Sequence, residues 1–536
     1  MANTNCLFDH ESFRIAINMK ALLKSLLAAA VAVSVTAGAV SAAPISRAPQ
    51  DNIFFATSTE PLGIDPALAD DMDSANMNIN IYDSLLRFKK GTAEVEPALA
   101  ESWTISDDGL VYTFNLRKGV KFHDGTPFNA EAVKFNFDRQ SPENRVEKMS
   151  YAPLVLDGIA KTEVVDEHTL RITLKKPLTP FLNLMAMSFA APIASPTALK
   201  KYNNSLMQNP VGTGPYRFVA WDRGQQIVLT RNDEYWGEKA PVQNVIYRIM
   251  KETSARVVAL KNGEVDIING IDGNVIDEIK ASGGEIFTVE GNNTNYMFYN
   301  CRKGYVTEDV AVRKAISQAI NVPELVQTLY KGYADYAPSY MPSWMPGFDK
   351  NLVSSTYDPE ASKKFFKEKG ITKLTAMTYS NARFYNTVGG QVLAEAVQSY
   401  LDKVGVKLDI VVYDWGTYRA KLLTDNWDIG FLGWGGVNGD ADDFISHFST
   451  DDPVTNHGLY KNEKFNELIA KAITTPNGEA RNKLYQQAQK ILFEDYGILP
   501  ISHSKEMIAH SKNVSGNFLL LHMTRFSDIN KTASKE

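Results

Sequence analysis

Cysteine is nearly absent: 536 residues hold two, Cys6 and Cys301. Cys6 precedes a segment expected to be removed, so one cysteine remains and no internal disulfide can form. Cys301 follows the strand-like residues 296–299 and is expected to be a buried thiol. Catalytic signatures are missing too. There is no GxSxG elbow, HExxH pair, Walker loop or cysteine metal pair, which removes the familiar nucleophile, zinc and phosphate chemistries, and no cofactor is expected. Glycoside hydrolysis, which needs only two carboxylates, is the enzyme alternative left standing. Positive charge is not in excess: the formal net charge is −6, which argues against nucleic acid as a partner. Internal repeats are absent, and so are low-complexity stretches beyond residue 42.

Long apolar runs are confined to one place. Residues 26–40 follow Lys20 and Lys24, are too short for a membrane span, and end in the small residues Val40, Ser41 and Ala42. This is the pattern of a Sec-type signal peptide cleaved after Ala42, with translation starting at Met19, because Asp9 and Glu11 upstream are unlike a basic leader. Cys6 is not at the cleavage point, so no lipid anchor is expected.

The chain as a whole is ordinary globular material, 44% hydrophobic and 22% charged. Single cores usually stop near roughly 250–300 residues, so two or more lobes are expected. Beyond Arg139 strands and helices are mixed, which predicts a compact α/β or α+β body. Residues 98–139 read ALAESWTISDDGLVYTFNLRKGVKFHDGTPFNAEAVKFNFDR. Asp107, Asp108 and Gly109 sit between two alternating runs, 102–105 and 111–116, as a tight turn joining antiparallel strands. Asn129 has the chemistry of a helix cap ahead of Ala130 and Glu131. A second stretch, PVGTGPYRF from Pro210, leads through 226–231 to RNDEYWG, from Arg231 to Gly237. Its Gly212 and Gly214 are not a dinucleotide loop, because Arg217 stands where a third glycine belongs and a strand follows. A third stretch runs from an amphipathic helix over 393–401, through a strand over 407–412 ending at Tyr413-Asp414-Trp415-Gly416, to an apolar strand over 427–434 and the loop Gly435-Gly436-Val437-Asn438-Gly439-Asp440.

In this order the three stretches resemble the bacterial solute-binding protein family 5, the periplasmic dipeptide, oligopeptide and nickel binders of ABC importers, and the dipeptide binders most closely. The resemblance covers essentially the whole mature chain. It implies a two-lobed periplasmic binding protein fold (type II, cluster C-like), with a ligand cleft between lobes and a two-segment hinge. The signal would occupy residues 1–42, the first lobe 43–289, the second lobe 290–500, and the return to the first lobe 501–536. It also implies a monomer in the periplasm that binds a peptide or peptide-like solute and meets an inner-membrane ABC permease. Another solute, such as an opine-like compound, a sugar or a nickel chelate, is the alternative. For nickel, only His447 lies near the expected cleft, and a lone histidine there is more often a structural hydrogen-bonder than a metal ligand.

Site residues carry over one at a time. Arg383 and Tyr385 of Ala382-Arg383-Phe384-Tyr385-Asn386 match the arginine that grips the ligand carboxylate and the tyrosine two residues on; a guanidinium fork suits a carboxylate. Trp415 would be an apolar wall, with Gly435 and Gly436 in the loop beside it. Val437 breaks the pattern. The peptide binders have an aspartate there, three residues after the tryptophan, for the ligand's α-amine, and valine cannot pair with an ammonium. Either Asp440 takes over the amine or the ligand has none at that point. The plainer reading of Asp440, Asp442 and Asp443 is turn formation and helix capping before Phe444.

Overall fold

The computed structural model describes residues 49–353, 356–519 and 521–533. The expected signal peptide and its cleavage point lie outside the described residues. Three main sheets organise the rest. A seven-stranded mixed sheet has at its centre Asn52–Thr57, parallel to Asn244–Ile249 on one side and to Ile267–Ile268 on the other. Beside it in sequence, Ala100–Ile105, Val111–Leu116, Thr169–Leu174 and Ile159–Asp166 form an antiparallel sheet. Alternation along Val111–Leu116 buries Tyr112, Phe114 and Leu116 on one face, as expected of a half-covered sheet.

The hairpin and the helix form as their residues dictate. Gly109 takes φ +69° in the turn, where Asp108 accepts from Leu110 N at 3.0 Å. Asn129 accepts from Ala132 N at 3.0 Å and starts the helix Ala130–Arg139. The last residue of that helix forms a buried ion pair. Arg139 meets Asp65 with two bonds of 3.1 and 2.8 Å, both side chains being almost fully buried, and Asp65 also accepts from Ala67 N and Leu206 N. The glycines of PVGTGP allow close backbone approach: a Cβ on Gly212 would lie 2.2 Å from the Ile81 carbonyl oxygen. Their carbonyls receive His123 of the first stretch, from its backbone N to Gly212 O and at its Nε2 beside Gly214 O. Asp83 likewise gathers Thr213, Tyr235 and Trp236. The first two signature stretches are thus one internal scaffold of the first lobe.

The third main sheet, six-stranded, belongs to the second lobe: Ala334–Tyr336, Ile498–Ser504, Asn293–Tyr299, Ile429–Gly435, Lys373–Tyr379 and Lys407–Tyr413, in that order. The chain enters it between Val289 and Asn293. It leaves between Ser504 and Glu506, later than the expected Pro500, because Ile498–Ser504 pairs along its length with Asn293–Tyr299 and Ala334–Tyr336. The lobes also touch away from these crossings. Thr179 donates its N–H to Ile473 O at 2.8 Å and its hydroxyl to Thr475 O at 2.8 Å, and Asn183 donates to Asn438 O at 2.9 Å. Cys301 is half-buried rather than buried; desolvation pushes its thiol up to about 11.

Replacing Asp65 by Ala leaves Arg139 charged and unpaired inside the first lobe, at a cost of about 3–5 kcal/mol. Asp107→Ala in the exposed turn should stay within about 0.5 kcal/mol. Urea unfolding of the two variants checks the contrast.

Candidate functional site

Three strands of the second lobe, Lys373–Tyr379, Lys407–Tyr413 and Ile429–Gly435, run parallel, so their C-terminal ends open on one edge. Loops leaving such an edge are free to converge, which is why ligands bind there in open α/β sheets. The structure brings Arg383, Tyr385, Trp415, Gly435, Gly436 and Val437 to this edge and its loops.

Beyond Tyr379 the chain folds back on itself, with Arg383 and Asn386 exchanging both backbone bonds at 2.9 and 2.8 Å. Buried Asn386 fixes the turn by accepting from Tyr330 Oη at 2.7 Å and donating to Tyr379 Oη at 3.1 Å. The turn lays Tyr385 flat on Gly433 and Phe384 on Gly435: a Cβ on either glycine would fall within 2.6 Å of a ring carbon. Glycine is needed at both for that contact. Burial pushes Tyr385 up to about 12 against the pull of the neighbouring Arg383 guanidinium, and its Oη makes no well-formed hydrogen bond.

Trp415 opens the helix Trp415–Thr424, capped by Asp414, which accepts from Thr417 N at 3.1 Å. Its ring carries the Arg383 guanidinium, 4.1 Å from the centroid, while Tyr379 braces it edge-on at 5.3 Å. Trp415 is therefore a platform for Arg383 through a cation–π contact, a more specific arrangement than an apolar wall. Buried Arg383 Nε has no acceptor, and Arg383 takes part in no ion pair among the described residues.

The loop after Ile429–Gly435 is pinned to the first crossing, where Gly436 N donates to Asn292 O at 2.9 Å and Asn292 Nδ2 donates to Gly436 O at 2.6 Å. Val437 packs its side chain on the core of the first lobe. Asp440 is not available to a ligand amine. Both its oxygens bind Arg481, at 2.7 and 2.8 Å in a buried pair, and it caps Ala441–Ile445 by accepting from Asp442 N. Its charge was spent where the sequence left it open. His447 is committed to Tyr340 Oη at 2.7 Å, and burial drives it down to about 3, so it is neutral. Among the described residues no group of three His, Cys, Asp or Glu side chains is arranged to hold a metal ion.

Two participants escaped sequence reasoning. Phe384, 49% exposed, presents an apolar ring at the site, a position legible only once Gly435 is seen beneath it. His522, far along the chain, lies against Phe384 at 5.2 Å between ring centroids and places Nδ1 2.7 Å from Glu506 and Nε2 3.1 Å from Asn292 O. Burial alone would lower it, but the Glu506 carboxylate and the Asn292 carbonyl outweigh that and hold it above its ordinary value. Both ring nitrogens then donate.

Residues 94–456 match the family model described as "Bacterial extracellular solute-binding proteins, family 5 Middle". The chain is 32% identical to "Heme-binding protein A" of Haemophilus influenzae over 92% of this chain and 94% of that protein. It is 31% identical to the "Dipeptide-binding protein" of Escherichia coli over 94% of this chain and 97% of that one. Among solved structures, HbpA2 of Haemophilus parasuis superposes with a TM-score of 0.82 at 30% identity, covering 90% of this chain and 100% of that one. The periplasmic binding protein DppA of Helicobacter pylori in complex with peptide STSA gives 0.75 at 31% identity, covering 90% and 98%.

Raised in the fold, His522 contributes stability fully present below its ordinary value of about 6.5 and lost as pH rises through its folded value. The stability gap between the native chain and His522→Gln should therefore narrow as pH rises from about 6 to about 9. Urea titrations of both across that range would show it, and a gap flat with pH would contradict a charged His522.

Proposed function

The chain belongs to the family 5 bacterial extracellular solute-binding proteins, and we propose that it captures a peptide or peptide-like solute between its lobes for an ABC importer. The observation that carries the reading is Arg383: a guanidinium oriented by Trp415, without a carboxylate partner, at the open edge of three parallel strands. A peptide's C-terminal carboxylate supplies the missing anion through two parallel charge-assisted bonds. Phe384 and Val437 add apolar contact, and the glycines of the loop leave backbone within reach of a peptide plane. Relatives whose names specify dipeptide, di/tripeptide and glutathione binding support a peptide-type solute.

The chain's part is to bind and release, with no chemical change to the solute. ATP hydrolysis belongs to the importer, whose inner-membrane permease would receive the closed form. The protein acts in the periplasm as a monomer. Among the described residues no helix is long and apolar enough to cross a membrane. The crossings at residues 290–292 and Lys505 lie side by side, joined by Asn292 N to Glu506 Oε1 at 3.0 Å. Paired strands of this kind let two lobes rotate about one line, and a solute that touches both favours the closed arrangement.

X-ray scattering on protein stripped of solute and then resupplied with a dipeptide mixture should show the radius of gyration fall on binding. An identical curve in both states would remove the clamp.

Arg383→Ala should weaken a carboxylate-bearing peptide by about 2–5 kcal/mol in calorimetry while leaving the unfolding transition in place. An unchanged dissociation constant rules the role out.

A further inference from the structure

A cavity of about 590 Å³ lies within the first lobe, apart from the edge that carries Arg383. Its lining residues, among those described, all fall within 79–117, 186–241 and 525–530, so no second-lobe residue takes part. The volume is within the range of small-molecule sites.

Three guanidiniums meet at this cavity. Asp83 fixes the aromatic part of the wall by accepting from Tyr235 Oη at 3.1 Å and from Trp236 Nε1 at 2.9 Å. Arg117 lies over the Trp236 ring, 4.4 Å from its centroid, and Arg87 lies 5.8 Å from it. Both of these arginines have acids of their own, Glu101 at 3.2 Å for Arg117 and Glu96 at 2.7 Å for Arg87. Arg525 has none. Among the described residues it makes one long hydrogen bond, from Nη1 to Phe88 O at 3.4 Å, and enters no ion pair. The remaining acids of the wall do not reach it: Asp83 is held by Thr213, Tyr235 and Trp236, Asp528 stands 3.9 Å from Lys90, and Glu238 is exposed. Burial draws Arg525 below its ordinary value; Asp528 opposes this and Arg87 adds to it, so two cations stand in one another's field.

Arginines that serve packing are finished differently. Arg256 and Arg313, which also lack ion pairs, are ringed by backbone carbonyls at 2.7 to 3.2 Å. Arg525 leaves most of its N–H donors without a protein acceptor. Its backbone is nevertheless fixed. Asn76 Oδ1 accepts from Thr524 N at 2.6 Å, Asn80 Oδ1 accepts from Phe526 N at 2.9 Å, and Asn80 Nδ2 donates to Thr524 O at 2.9 Å. The helix Met72–Ile81 thus grips the residues on both sides of Arg525, a pre-set position for a binding group. Ile79, Leu86, Met187 and Pro215 give the same wall an apolar part.

We propose that this cavity is a second ligand site, which takes a small organic anion with its carboxylate or phosphate on Arg525 and its apolar body against Ile79, Leu86 and Met187. The assignment is independent of solute capture at Arg383. A guanidinium fork suits either head group through parallel charge-assisted bonds. Arg87 and Arg117, held on Trp236, add positive field without giving up their own acids. The two sites share no residue, so the chain can hold a solute between its lobes and an anion here at once.

The test is calorimetry with benzoate and phenyl phosphate, and with benzyl alcohol as the uncharged control, on the native protein, Arg525→Gln and Arg383→Ala. At least one of the two anions should bind the native protein and Arg383→Ala alike, and should bind Arg525→Gln at least about 10-fold more weakly. The tighter of the two identifies the head group, and benzyl alcohol should not bind. The proposal is overturned if neither anion binds, if Arg525→Gln binds as well as the native protein, or if Arg383→Ala abolishes binding, which would put the anion between the lobes. Should Arg525→Gln fail to fold, native crystals soaked with 4-iodobenzoate or 4-iodophenyl phosphate give a second readout. The anomalous signal of iodine should appear in the first-lobe cavity with the head group on Arg525, and its absence there with both compounds overturns the site.

Discussion

Asn292 is the knot on which the two-lobed arrangement depends. It sits in the first crossing, and its carbonyl accepts from Gly436 N and from His522 Nε2, while its own N–H donates to Glu506 at the start of the return strand. Its side-chain amide closes the ring on Gly436 O. One buried residue thus joins both crossings, the C-terminal segment and the loop after the strand Ile429–Gly435. Backbone groups at a sheet-to-sheet crossing lose their ladder partners and must find others. Here those substitute partners come from the site, so the position of the loop and the geometry of the hinge are set by the same bonds.

The arginines show how the chain separates structure from function. Arg139 and Arg481 are each buried and each met by a bidentate aspartate, Asp65 and Asp440. Such pairs fix geometry, because breaking one leaves an uncompensated charge in a poor solvent. Arg383 has the same guanidinium but is given an aromatic platform in place of a carboxylate. The platform orients the fork without neutralising it. That difference, rather than sequence position, sets Arg383 apart from the two scaffold arginines.

Local chemistry was legible in the chain because it is local. The turn at Gly109, the cap at Asn129 and the strands feeding Tyr413 and Gly435 each follow from residues within a few positions of one another. The resemblance to solute binders added the convergence of Arg383, Trp415 and the glycine loop, which no period or spacing contains. Asp440 caps Ala441–Ile445 as its plainer reading has it, but its pairing with Arg481 could not be read, since that partner lies 41 residues on and nothing at either position announces the other. Trp415 was seen as a wall because a sequence displays its apolar ring and not the cation above it. Asp442 and Asp443 looked alike as turn formers, and only folding separates them, one beside Arg481 and the other beneath Val437. The return to the first lobe, expected near Pro500 from the resemblance, comes after Ser504, since proline is tolerated in a strand where no ladder donor is required of it.

Val437 gives the last link between composition and motion. Its side chain packs on the first-lobe core, so it contributes to closure whether or not a ligand is present. Partial burial of a valine is worth at most about 1–2 kcal/mol. The three hydrogen bonds from Thr179 and Asn183 to the second lobe add about 0.5–1.5 kcal/mol each. Against these stands the ordering of the loop that bears Val437. On the proposed capture of a solute between the lobes, a ligand that touches both adds interaction only when they are shut, and such a differential interaction is what allows binding to shift the population.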